Sequence, residues 1–79
     1  MGPARKTAEQ LLGDVIRERR EELGLSQEAL AFACGLHRTY ISQLERGQKS
    51  PTLRALSVIA KALKTTPADL VRLATPSLD

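Results

Sequence analysis

The chain has 79 residues, 42% apolar and 27% charged, with twelve Lys and Arg against nine Asp and Glu for a net charge of +3. That length makes one small domain that buries roughly 60–65% of its unfolded surface, which argues against a large enclosed substrate cavity. A single cysteine and a single histidine exclude a disulfide framework, a Cys-rich zinc site and His-pair metal motifs, and no apolar run reaches the ~20 residues of a membrane span or forms a signal-peptide core.

Helical spacing recurs along the chain, and no sustained apolar–polar alternation supports a strand. Residues 1–6 read as a flexible N-terminal segment. The first helix begins at Thr7, where Thr7 and Gln10 fit a capping box. Leu11, Leu12, Val15, Ile16 and Leu23 mark its apolar face, Gly24 suits a left-handed cap, and Gly13 weakens the interior by roughly 1 kcal/mol relative to Ala. Ser26 caps a second helix over 27–34, closed by Gly35. A third, over 38–46, ends at Gly47, and 48–52 is a loop broken by Ser50-Pro51. Thr52 caps a fourth helix over 53–64, with Leu53, Leu56, Ile59, Ala60 and Leu63 on one face and Val58 pointing the other way. Thr66-Pro67-Ala68-Asp69 combines a cap, a proline at the first helical position and a first-turn acid, and opens a fifth helix over 67–73. Pro76 ends any continuation. Helices this short are marginal alone, so packing must hold them. The expected organisation is all-α: a segment over 1–6, one five-helix domain over 7–74 and a tail over 75–79.

Charge is uneven. Residues 1–36 carry five basic and six acidic side chains; residues 37–79 carry seven basic ones (Arg38, Arg46, Lys49, Arg54, Lys61, Lys64, Arg72) and three acidic. Within 38–54 the sole acid is Glu45. Such a half fits an anionic partner such as nucleic acid, or simply a solvated face. With only Phe32 and Tyr40 as aromatics, base stacking on a single strand is not expected.

The middle of the chain meets the needs of two short helices crossing at a tight turn. Ala31 is small where the second helix passes, Gly35 tolerates positive φ, and Ile41 and Leu44 form a narrow buried stripe with Leu30 opposite. The second helix then presents Arg38, Thr39, Ser42, Gln43 and Arg46 outward, all able to hydrogen-bond and none acidic. That face suits the major groove, where Arg reads guanine, Gln reads adenine and Thr offers a hydroxyl and a methyl.

The joined pattern A-x3-G-x5-I-x2-L, flanked by G-L-S-Q-E-A-L-A and I-S-Q-L-E-R-G-Q-K-S-P-T-L, resembles the helix-turn-helix of the Cro/repressor-type bacterial and phage DNA-binding proteins over about residues 10–73. The resemblance implies a five-helix, lambda-repressor-like domain, a homodimer, and sequence-specific binding of double-stranded DNA at a two-fold operator. The short format and R-T-Y-I-S-x-x-E-R at 38–46 look most like controller proteins of restriction–modification systems; phage-type regulators and small antitoxins that grip a toxin share the scaffold.

Roles follow from position. Arg38 and Thr39 open the third helix, where base contacts are placed, and Ser42 and Gln43 continue that face. Phosphate contacts are expected from Gln27 and the capping Ser26 at the second helix N-terminus, from His37 and Tyr40 beside the turn, and from Arg46, Lys49, Ser50, Thr52 and Arg54 around the next loop. The resemblance implies that Glu45 pairs with Arg20 of the first helix. Val58, Leu70, Val71 and Leu73, with Leu78 in the tail, exceed what one small core needs and read as a dimer interface built from the fourth and fifth helices, unless the fifth helix simply closes the monomer core. Cys34 reads as a small buried hydrophobe. No catalytic set can be assembled from one His and one Cys, so the expectation is a cytoplasmic regulator rather than an enzyme. Its partners would be DNA, a second copy and RNA polymerase, with no metal, cofactor or membrane.

Overall fold

In the computed structural model, whose described residues are 5–75, five helices follow one another: α1 Ala8–Glu22, α2 Gln27–Cys34, α3 Arg38–Glu45, α4 Leu53–Ala62 and α5 Pro67–Ala74. Residues 1–4, and the tail residues Pro76 and Leu78, lie outside the described part.

Local chemistry sets most of the starts. Thr7 Oγ1 accepts from the Gln10 amide at 3.0 Å while Gln10 Oε1 accepts from the Thr7 amide at 2.9 Å, completing the capping box. Ser26, Thr52 and Thr66 accept from the amides of Ala29, Ala55 and Asp69. Each cap contributes about 1 kcal/mol. At α3 the cap position falls to His37, whose side chain makes no capping hydrogen bond.

Three ends differ from expectation. The fourth helix stops at Ala62 rather than residue 64, because Lys64 takes φ 59° and the Thr65 amide turns back onto the Ala60 carbonyl at 2.9 Å. A glycine usually marks such an end; here a lysine adopts the conformation, leaving no composition cue. The third helix ends at Glu45, with Arg46 as its cap, and the fifth runs one residue further, to Ala74.

The core centres on Ile16, Leu30, Ala31, Ile41, Leu44, Ile59 and Leu63. A second cluster joins Leu56, Ala60 and Leu70, flanked by Leu12 and Val15 of α1. Full burial of each large aliphatic side chain contributes about 1.5–3 kcal/mol. Leu70, expected on a dimer surface, is only 1% exposed and belongs to this core, because α5 lays that side of itself against α1 and α4. Leu53, expected on the shared apolar face of α4, is 78% exposed: it is the first helical residue and precedes the turn that Ala55 and Leu56 bury.

Gly13 also takes a different meaning. It is buried, and a Cβ there would stand 2.5 Å from the carbonyl oxygens of both Leu44 and Glu45. The missing side chain lets α1 approach the last turn of α3, so the glycine permits a contact as well as weakening a helix. Among the described residues no helix is long and apolar enough to cross a membrane, and no group of three His, Cys, Asp or Glu is placed to hold a metal ion.

Candidate nucleic-acid interface

The α2–turn–α3 unit is fixed at its corner by Gly35 at φ 68° and by the Leu36 amide, which donates back to the Ala31 carbonyl at 2.9 Å. Ala31 and Leu30 are buried beneath it, and Ile41 and Leu44 face them from α3. With that stripe inward, Arg38, Thr39 and Arg46 are exposed, while Ser42 and Gln43 are half-buried on α3. The outward strip is therefore widest at the start of the helix.

Glu45 turns into the protein. Arg20 Nε donates to Glu45 Oε2 at 2.7 Å and Arg20 Nη2 to Oε1 at 2.9 Å, with residue exposures of 8% and 3%. Arg20 Nη1 also donates to the Leu25 carbonyl at 2.8 Å, and Gln27 Nε2 to Glu45 Oε1 at 3.1 Å. One fork thus joins α1, the start of α2 and the end of α3. Hydrogen bonding to Glu45 pushes the Arg20 pKa above its ordinary value against the opposing effect of burial. Because the one acid of the 38–54 stretch is neutralised inside, the outward face of α3 keeps its positive field. The Gln27 contact was not legible in the sequence, since nothing local links positions 27 and 45; it leaves Gln27 half-buried with one amide hydrogen committed to Glu45.

The other expected phosphate ligands lie on both sides of α3. Ser26 and Thr52 use their hydroxyl oxygens as caps, which leaves the hydroxyl hydrogens to donate. Tyr40 is half-buried, and Lys49 Nζ sits 6.0 Å from its ring centroid, at cation–π range. Arg46, Lys49, Ser50 and Arg54 are exposed. His37, Tyr40, Thr52 and Arg54 are brought together around one cleft. Val58, expected at a dimer surface, is half-buried in the same cleft, beside Cys34. Cys34 is half-buried, its Sγ lies 3.6 Å from the Val58 carbonyl oxygen, and burial pushes its thiol pKa up, which keeps it protonated and weakly nucleophilic. Val71 and Leu73 of α5 are exposed and do not line that cleft. Phe32 is exposed on α2.

A helix-turn-helix family model matches residues 16–70 of the chain. The control protein C.BamHI of Bacillus amyloliquefaciens is 47% identical over 62 residues, which are 77% of this chain and 76% of that one. Among solved structures, the restriction-modification controller protein C.AhdI from Aeromonas hydrophila superposes with a TM-score of 0.75 at 43% identity, covering 77% of this chain and 92% of that one. The P22 c2 repressor in complex with synthetic operator 9T superposes with a TM-score of 0.74 at 39% identity, again over 77% of this chain and 92% of that one.

Proposed function

The chain belongs to the helix-turn-helix family of Cro/repressor type, and from that premise we propose that it is a homodimeric transcriptional regulator that binds double-stranded DNA sequence-specifically at a two-fold operator. The DNA-binding unit is the single domain over 7–74. The observation that carries this reading is the setting of α3: Ile41 and Leu44 bury one side, Glu45 is paired internally, and Arg38 and Thr39 stand out from its first turn. Arg38, Thr39, Ser42 and Gln43 read base edges in the major groove. Residues on either side of α3, from Ser26 and Gln27 to Lys49, Ser50 and Arg54, hold phosphates and set the register. The regulator performs no chemistry on DNA; occupancy of its operator in the cytoplasm blocks or recruits RNA polymerase. The likeness to C.BamHI and C.AhdI favours control of a restriction–modification system over an antitoxin role.

Selection of a preferred site from a randomised duplex library tests the reading directly. Against that site, Arg38→Ala relaxes discrimination at one base position by about 1–3 kcal/mol. Lys49→Ala weakens selected and random duplexes alike and lowers the slope of log affinity against log salt by about one. Absence of any selected site, or both variants binding like the parent, removes the groove assignment.

The second copy docks through the exposed apolar side chains of α5. Leu70 lies behind them in the core, so the surface contribution falls to Val71 and Leu73. A two-fold pairing there sets the two α3 helices about one DNA turn apart, roughly 34–36 Å. Leu73→Glu shifts the sedimenting species from dimer to monomer with the helical circular dichroism unchanged; a dimer that survives the substitution removes α5 from the interface.

A further inference from the structure

Between the α2–α3 turn and the start of α4 lies a solvent-open cleft of about 460 Å³, within the size range of small-molecule sites. Its lining is mostly apolar: Cys34, Leu36, Ala55 and Val58, with the Tyr40 ring beside them. The Cys34 thiol is satisfied on the Val58 carbonyl. His37, Thr52 and Arg54 supply the polar part of the lining. His37 and Thr52 are the cap residues of α3 and α4, so the positive ends of two helices meet at this cleft. The start of α3 has no side-chain cap, and its first amides are left to an acceptor from outside. Arg54 is exposed and makes no ion pair among the described residues, and no carboxylate lines the cleft.

An apolar lining with cationic and amide donors calls for an amphiphilic anion. We propose that this cleft binds a small carboxylate with an aryl or medium-chain alkyl body, and that its occupation excludes DNA. The body lies against Leu36, Val58 and Tyr40, and the carboxylate lies at Arg54 and the start of α3. The exclusion rests on the function proposed above: His37, Tyr40, Thr52 and Arg54 are among the residues assigned to phosphate, so carboxylate and phosphate compete for the same donors. Residues 34–40 and 52–58 form this cleft only when folded together, so neither segment alone carries a signature of it.

Titration of the 15N-labelled full chain with 1-naphthoate, followed by amide chemical shifts, tests the site; 1-naphthylmethanol serves as the uncharged control. Saturable shifts confined to the neighbourhood of Gly35, Leu36, Tyr40 and Val58 are expected, with binding about tenfold weaker for the alcohol. Arg54→Ala, at an exposed position, weakens naphthoate by about five- to tenfold and leaves the alcohol unchanged. Shifts that do not saturate or fall elsewhere, or equal binding of acid and alcohol, overturn the site. A fluorescent duplex at low salt tests the competition: naphthoate raises its apparent Kd in inverse proportion to the fraction of clefts left empty, and an unchanged Kd at saturating naphthoate overturns the exclusion. If the protein binds naphthoate but no duplex, the carboxylate site stands and the exclusion falls together with the proposed DNA-binding function.

Discussion

Gly13→Ala, the addition of one methyl group, is expected to destabilise the domain by about 2–4 kcal/mol. In an exposed helix the same change would stabilise by roughly 1 kcal/mol through helix propensity. Here the new Cβ meets the Leu44 and Glu45 carbonyl oxygens at 2.5 Å and the Glu45 carbonyl carbon at 2.8 Å. The obstruction is backbone in the last turn of α3, so no rotamer change relieves it. The helices must separate, which loosens the packing of Ile16 against Leu44 in the main core and strains the Arg20–Glu45 fork between the same two helices. Overpacking typically costs about 1–3 kcal/mol and more where the surroundings cannot yield, which outweighs the propensity gain. For a domain of this size each kcal/mol lowers the melting temperature by about 4–8 °C, so a fall of roughly 10–25 °C is expected in a thermal melt. Site-specific DNA affinity should fall too, even at temperatures where the variant is folded, because α3 is displaced relative to α2. A melt that matches the parent shows that α1 and α3 do not need this approach.

Features set within a turn or two of chain are legible in the sequence, and features set between distant helices are not. The caps at Thr7, Ser26, Thr52 and Thr66 need only a side chain three residues from its amide, so their starts follow from sequence. The inward stripe of Ile41 and Leu44, and with it the outward face of Arg38 and Thr39, follows from helical spacing alone. The end of α4 does not, because Lys64 adopts a conformation its identity does not announce. Periodicity puts Leu53 and Leu70 on apolar faces equally well; only the placement of α5 against α1 and α4 decides that Leu70 is buried and Leu53 is left out. Arg20 and Glu45 lie 25 residues apart, and resemblance rather than spacing links them. The Gln27 hydrogen bond to the same carboxylate had neither source. Gly13 looks in sequence like a local weakness, and its tertiary role appears only once the α3 carbonyls stand over it.

Glu45→Ala is expected to be the most disruptive single truncation, with a loss of about 3–5 kcal/mol, because it strands a buried partner. Arg20 cannot relieve the loss by giving up its proton, since a guanidinium stays charged at any pH the fold tolerates. It would keep only its bond to the Leu25 carbonyl, and Gln27 would lose its acceptor as well. Glu45→Gln should fall between the two: the amide oxygen still accepts one guanidinium N–H, but the NH2 replaces an acceptor that now serves Arg20 or Gln27. Replacing both partners by apolar residues, Arg20→Met with Glu45→Leu, removes the stranded charge and should restore most of the denaturation midpoint. The double variant then separates two roles. If the fork only stabilises the fold, the double variant binds the selected site like the parent. If it aims α3, as its joining of three elements implies, affinity for that site stays reduced although the midpoint has recovered. A Glu45→Ala midpoint equal to the parent's rules out both roles, because a carboxylate that can be deleted without cost is not holding Arg20 in place.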